Sequence, residues 1–455
     1  MSRLLISAAH KSSGKTTVSL GLCAALAERG LAVQPFKKGP DYIDPMWLGQ
    51  AAGRPCHNLD FYCMSQEEIL TAVGHYSSDA DIALIEGNKG LYDGLDLEGS
   101  NSNAALATLT RTPVILVLDA RGMTRGIAPL ILGYQSFDPD VSIAGVILNQ
   151  LGGSRHEAKL RAVIEHYTDV PVIGGIHRDP ALVIDERHLG LIPSNEAATA
   201  DSKIRTIRDL IREQVDIDRL LAQAGQEPIR FKAPQPVPQY DSAAVRIGIA
   251  HDAAFGFYYP DDIAALQEAG AELVYFNTLT DATLPEIDGL FIGGGFPESY
   301  LHTLEANASL RAAIHSAIAA GLPAYAECGG LMYLSRSLSW NGNRADMVGV
   351  IPGDAVMHAR PQGRGYVRLR ETAGAPWPSQ HPEGEFAAHE FHYSALENIS
   401  EPLTYAYDVL RGSGVDGKHD GIVINNLLAC YSHMRDTEQH HWARRFVEFA
   451  RQMRG

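Results

Sequence analysis

The sequence predicts an α/β protein made of two α/β domains in tandem, the first built on a parallel sheet. Three observations carry this. Short apolar runs alternate with helical patterns through the first half, a proline-rich stretch interrupts the pattern at 229–244, and a second strand–helix series opens at 246. Such alternation sets strands in parallel and covers both faces with helices. A chain of 455 residues is too long for one ordinary domain. Domains are therefore expected at 1–230 and 245–455, with a linker at 231–244 inside "IRFKAPQPVPQYDSAA".

In chain order, the first half offers strands at 3–8, 32–36, 82–86, 114–118, 143–148 and 171–174, with helical stretches such as 16–29 and 155–167 between them. A helical segment follows at 202–223. The second half offers strands at 246 onward, 272–276, 289–292 and 323–326, helices near 298–319, a turn at Cys328 and a last helix at 437–453.

Composition narrows the class. Hydrophobic residues make up 45% and charged residues 20%, as in globular proteins. No apolar run is long enough to span a bilayer and the N-terminus lacks a signal layout, so a cytoplasmic protein without membrane association is expected. A net charge of −16 argues against a nucleic-acid partner, since neutralising phosphates needs clustered cations. The five cysteines are an odd number without a CxxC pair, which speaks for reduced thiols and against structural zinc.

Two stretches carry chemistry. "AAHKSSGKTTVSLGL" follows the first strand and runs into a helix, and its core Ser12-Ser13-Gly14-Lys15-Thr16-Thr17 is the end of a phosphate-binding P-loop. Gly14 lets the backbone approach a phosphate, Lys15 reaches the terminal phosphates and the Thr16 hydroxyl faces Mg²⁺. The first glycine of the usual pattern is replaced by Ala9. "PFKKGPDYIDP" adds Lys37, Asp41, Tyr42 and Asp44 after the second strand. "LIEGNKGLYDG" adds Glu86 at a strand end, where a Mg²⁺-binding acid is expected, and Asp93 on the loop beyond.

The other stretch is "PAYAECGGLMYL". Cys328 follows a short strand and precedes a helix, as in a nucleophile elbow. The helix start favours a thiolate, and the Gly329 amide is an oxyanion donor candidate. A second donor set is the glycine run 293–295 in "GLFIGGGFPE". A base is still required, and His433 in "LLACYSHMRD" is one of several histidines available, with His389, His392, His440 and His441. The last two are read onto the final helix.

Taken together, these motifs resemble the cobyrinic acid a,c-diamide synthases. "GKTTVSLGL", "PFKKGPDYIDP", "NLD" at 58–60, "EGNKGLYDG", "DARGM", "GVILN", "ERHLGLIP", "GLFIGGGFPE", "AYAECGGLMYL" and "HEFHYS" stand in that family's order over nearly the whole chain. The resemblance implies an N-terminal domain like dethiobiotin synthetase and a C-terminal class I glutamine amidotransferase domain. It implies ATP and Mg²⁺ phosphorylating a tetrapyrrole acetate carboxylate, and ammonia from glutamine displacing the phosphate. Carried over, Cys328 is the nucleophile and His433 its base. Gly294, Gly295 and Gly329 form the oxyanion site. Asp41, Tyr42, Asp44 and Asp93 serve catalysis, Thr16, Glu86 and Asp41 hold the metal, and Lys37 joins Ser12–Thr17 at the nucleotide.

The chain also departs from the family pattern. It has "CYSHMR" where relatives often read "SYVHLH", so Arg435 replaces a second histidine. No carboxylate follows His433 in the usual place, so a Cys–His dyad is expected. Lys38 and Lys89 add positive charge, which points to a siroheme or sirohydrochlorin amidase as the alternative to a corrinoid enzyme. A P-loop ATPase with an inert second domain is the remaining alternative. A homodimer is the expected assembly.

Overall fold

The computed structural model describes residues 2–184, 186–187, 190–196, 199–232, 244–377 and 384–454. The chain forms two compact units, Met1–Pro234 and Gln235–Gly455. Most of the expected linker, and part of "ERHLGLIP", lie outside the described residues. Phe231, the first residue of the expected linker, still packs on the first unit, its ring filling the space beside Gly74.

The first unit holds a seven-stranded sheet. Its strands are β1 (Ser2–Ala8), β2 (Val33–Lys38), β3 (His57–Leu59), β4 (Ile82–Glu86), β5 (Val114–Asp119), β6 (Ile143–Leu151) and β7 (Val172–His177), in the order β3-β2-β4-β1-β5-β6-β7. Every pairing is parallel. β1, β2 and β4 are almost wholly buried, as expected of strands covered on both faces. Helix α1 (Lys15–Glu28) follows β1, and α2 (Ile43–Ala52) follows β2. The order places the C-terminal ends of β1, β2 and β4 side by side, and the sequence motifs follow those ends directly. The three-residue β3 is too short for periodicity to reveal. The helical stretch expected at 202–223 is two helices, Ala200–Gln214 and Ile217–Ala222, because Asp216 caps the second.

The second unit holds a nine-stranded sheet. Its parallel part runs Ala271–Phe276, Val245–Ala250, Gly289–Ile292, Ala324–Glu327 and Leu427–Cys430. The sheet continues antiparallel through His419–Ile424, Thr404–Arg411, Gly363–Glu371 and Glu385–His392. A four-stranded sheet adds Ser335–Trp340, Asn343–Asp346, Ile351–Met357 and Ser394–Glu397. Sequence reading assigned no strand between 335 and 426. Gly363–Glu371 and Glu385–His392 each have one open face, so they lack the continuous apolar runs that mark the parallel strands. The last helix is Trp442–Met453, shorter than expected at its start, and His440 precedes it while His441 caps it. No described helix is long and apolar enough to cross a membrane.

Candidate functional sites

In the first unit, Ser12 (φ 62°) and Gly14 (φ 90°) turn the chain between β1 and α1. A side chain at Gly14 would also strike Asn149, whose Nδ2 lies 2.1 Å from the Cβ position. The same Nδ2 donates to the Ser13 carbonyl at 2.8 Å, so the end of β6 props the loop from behind. Ala9 needs no positive φ, which explains why the missing first glycine is tolerated. Lys15 donates to the Lys89 carbonyl at 2.6 Å. Burial lowers its pKa, partly offset by Glu86. Thr17 lies in the first turn of α1, beside Thr16.

The loop ends converge on a buried charge cluster. Thr16 Oγ1 donates to Glu86 Oε1 at 2.8 Å and to Asp44 Oδ2 at 3.2 Å. Lys37 Nζ lies 2.5 Å from Asp44 Oδ2, 2.7 Å from Glu86 Oε1 and 3.7 Å from Asp41 Oδ2. Burial disfavours its charge, but the carboxylates prevail and hold Lys37 above the ordinary lysine range. Burial pushes the Glu86 carboxyl up, and burial with Asp44 nearby pushes Asp41 up to about 7.

Asp44 is the acid that shares Thr16 and Glu86. Asp41 instead turns Oδ1 to the Ile43 and Asp44 amides at 3.0 and 3.1 Å, tying down the start of α2, with the buried Tyr42 as its cap residue. Asp93 lies on the exposed loop beyond β4 and accepts from the Gly90 amide at 2.8 Å.

The residues fit a magnesium ion. Glu86 Oε2 is buried without a hydrogen-bond partner, next to the Thr16 hydroxyl and Asp44. No three acidic, histidine or cysteine side chains among the described residues form a ready cage. Mg²⁺ commonly takes one or two carboxylates and completes its shell with water and phosphate, so this is no conflict.

In the second unit, Cys328 sits between strand Ala324–Glu327 and helix Gly329–Leu334 with φ 47° and ψ −97°. That conformation is costly for a residue with a side chain and needs support from its surroundings. The Cys328 amide donates to the Cys430 carbonyl at 2.7 Å, and its carbonyl accepts from Met332 at 3.0 Å. A Cβ on Gly330 would lie 2.2 Å from the Ile292 carbonyl, and one on Gly329 would lie 2.9 Å from the Gly295 nitrogen. Only glycines allow this close approach. The elbow therefore rests on the 293–295 loop, and the Gly329 amide, first in its helix, has no intrahelical acceptor. Gly294 lies against His433, whose Cε1 is 2.7 Å from the Gly294 Cβ position.

Of the candidate histidines, His433 is the one that hydrogen-bonds Cys328. Its Nδ1 lies 3.2 Å from Glu327 Oε2. The other oxygen, Glu327 Oε1, accepts from the Tyr325 hydroxyl and from the Met434 amide at 2.9 Å. The expected dyad is thus a Cys328–His433–Glu327 triad. Its acid stands immediately before the cysteine rather than after the histidine. Burial opposes charge on His433, yet its bonds to Cys328 and Glu327 raise its pKa to about 10. That favours a protonated imidazole beside Cys328. His389 exchanges backbone hydrogen bonds with His433. Burial and His433 lower its own pKa to about 3. His392 bonds the Ser394 carbonyl and stacks on Tyr431, while His440 pairs with Glu371, so both serve packing.

Comparison with known proteins identifies both domains. A CobQ/CobB/MinD/ParA nucleotide binding domain matches residues 5–192, and a CobB/CobQ-like glutamine amidotransferase domain matches residues 246–439. The chain is 45% identical to a cobyrinate a,c-diamide synthase of Magnetococcus marinus, covering 99% of this chain and 97% of that one. It is 44% identical to one of Methanosarcina acetivorans (99% and 96% covered) and 39% identical to one of Syntrophotalea carbinolica (99% and 98% covered).

Proposed function

Because the chain belongs to the cobyrinate a,c-diamide synthase family of glutamine-hydrolysing amidotransferase ligases, we propose that it amidates the a and c acetate carboxylates of cobyrinate. The observation that carries this reading is the pairing, on one chain, of a P-loop domain with its acid cluster and a cysteine elbow with its base.

At the second site the Cys328 thiolate attacks the amide carbon of the glutamine side chain. The oxygen gains negative charge and is received by the amides of Gly329 and the Gly294–Gly295 loop. Protonated His433 gives its proton to the departing nitrogen, so ammonia leaves and a thioester remains. Water, deprotonated by His433, then releases glutamate. Glu327 holds the imidazole in place and balances its charge throughout.

At the first site a carboxylate is a poor acyl donor because oxide would have to leave. Transfer of the terminal phosphoryl group of ATP onto the carboxylate oxygen supplies a leaving group. Ammonia then attacks the carbonyl carbon and phosphate departs, leaving the amide. Lys15 and Lys37 offset charge on the phosphoryl oxygens. Ser12, Ser13, Gly14 and Thr17 form the phosphate cradle, and Asp41, Tyr42 and Asp93 line the acceptor side. Thr16, Glu86 and Asp44 would hold Mg²⁺, with Asp41 beside them, and the ion would supply further charge neutralisation at the phosphates.

The charge argument for a siroheme-type substrate is weaker at Lys38 than at the exposed Lys89. Lys38 is 4% exposed and already donates to Asn88 Oδ1 at 3.1 Å. The test is incubation with ATP, Mg²⁺ and glutamine, giving cobyrinate, sirohydrochlorin and siroheme separately, with mass spectrometry of the products. Two hydroxyl-to-amine replacements on cobyrinate are expected. Amidation of siroheme or sirohydrochlorin alone would overturn the corrinoid assignment.

A further inference from the structure

Arg435 stands two residues past His433 and is 3% exposed. Its Nη2 donates to Asp261 Oδ2 at 2.7 Å, and its guanidinium carbon lies 4.6 Å from the centre of the Tyr259 ring. The next residue, Asp436, donates its amide to Asp262 Oδ1 at 2.8 Å. Asp261 and Asp262 occupy the first turn of helix Pro260–Glu268, and Tyr259 is its cap residue. The loop carrying His433 is thus fastened to the start of one helix.

The chain just before that helix holds the glycine loop. Phe257 pairs with Gly294 across a short antiparallel ladder, and the Tyr258 hydroxyl accepts from the Gly293 amide at 3.0 Å. One stretch, 257–262, therefore grips both the loop that carries the base and the loop that faces the oxyanion.

We propose that Arg435 is a positioning residue of the glutaminase site, fixing His433 against the glycine loop through this stretch. The inference rests on the glutaminase reading above and extends it. The charge type matters. A guanidinium stays protonated at every pH where the enzyme works, so the clamp holds across the range. An imidazole in its place would grip Asp261 only while protonated. The groups facing Arg435 are Asp261, Asp262 and Tyr259 from the helix start, and Asp436 on its own loop, with Glu327 interacting with Asp262 from the strand before Cys328.

The test is hydrolysis of glutamine to glutamate by the full chain without acceptor, from pH 5.5 to 9, for wild type, Arg435→Met and Arg435→His. Arg435→Met should lose on the order of tenfold or more in kcat with KM little changed, as for a slightly misplaced base. Arg435→His should approach wild type at the acid end, and its ratio to wild type should fall as pH rises past about 6.5. Adding Tyr258→Phe to Arg435→Met should cost less than the product of the single losses, because both act on one clamp. Wild-type kcat in Arg435→Met with a flat Arg435→His ratio would overturn the inference while leaving the glutaminase reading intact. If Arg435→Met does not fold, the pH course of the Arg435→His ratio decides. A wild type that hydrolyses no glutamine would remove both readings.

Discussion

Glu327 Oε2 lies 3.2 Å from Nδ1 of His433, although the two residues are 106 positions apart in sequence. The next residue after Glu327 is Cys328, so one strand end delivers both acid and thiol, and the histidine arrives on the neighbouring strand's exit. Strands Ala324–Glu327 and Leu427–Cys430 pair in parallel, with Glu327 opposite Cys430. Parallel pairing brings the two exits to the same edge of the sheet, which is why the triad assembles there.

Glu327→Gln should lower kcat for glutamine hydrolysis by about 10²–10⁴-fold, since the imidazole loses its orienting anion. The pH course should change as well. His433 is raised to about 10, so its imidazolium is held below that pH and is lost as pH rises through it. Removing the Glu327 charge lowers that limit, and an NMR titration of the His433 imidazole should show it losing its proton at a lower pH than in wild type.

Cys328→Ser should abolish glutamine use, with a loss of more than about 10³-fold. Amidation with added ammonium salt should survive. Loss of both routes in a folded variant would give Cys328 a part in the first site's chemistry.

Glu86→Gln should abolish amidation with either nitrogen source, since Thr16 and Lys37 both bond its carboxylate. Glutamine hydrolysis without acceptor should remain. Retained amidation would remove Glu86 from phosphoryl transfer. Lys37→Met leaves Asp44 and Glu86 buried without their cation and should cost about 3–5 kcal/mol of stability, read from denaturant unfolding.

Gly14→Ala should prevent nucleotide binding, because the position has φ 90° and Asn149 Nδ2 sits 2.1 Å from where the methyl would go. Calorimetric titration with a non-hydrolysable ATP analogue should show no saturable binding, while glutamine hydrolysis is unaffected.

Lys38→Met should be better tolerated at neutral than at alkaline pH. Burial, opposed by Asp60 and reinforced by Lys89 and Lys37, lowers Lys38 to about 8. Its folded value lies below the unfolded one near 10.4, so folding favours the neutral amine. The stability this contributes is full above the unfolded value and is lost as pH falls through about 8. Thermal unfolding of wild type relative to the variant should therefore rise between pH 7 and 10.

The parallel strands of the two large sheets apart from β3, the phosphate loop and the cysteine elbow were all legible, because each is written in contiguous residues. Apolar runs such as "VILVL" mark buried strands, and "SSGKTT" and "AECGG" carry their geometry locally. The strands from 335 to 426 were not legible. Half of each such strand faces outward, and its mixed pattern resembles loop sequence.

The sequence by itself determined the two-domain α/β plan, the family, the cysteine elbow and the phosphate loop, since these depend on local order and on backbone conformations that particular residues permit. Only the tertiary structure decided that Glu327 completes the triad, that Asp44 rather than Asp41 shares Thr16 with Glu86, that Lys38 is buried, and that Arg435 fastens the base loop to Asp261. Each of these is a contact between residues brought together by strand order or loop packing. A charge written in a sequence does not say which of its possible partners burial will oblige it to meet.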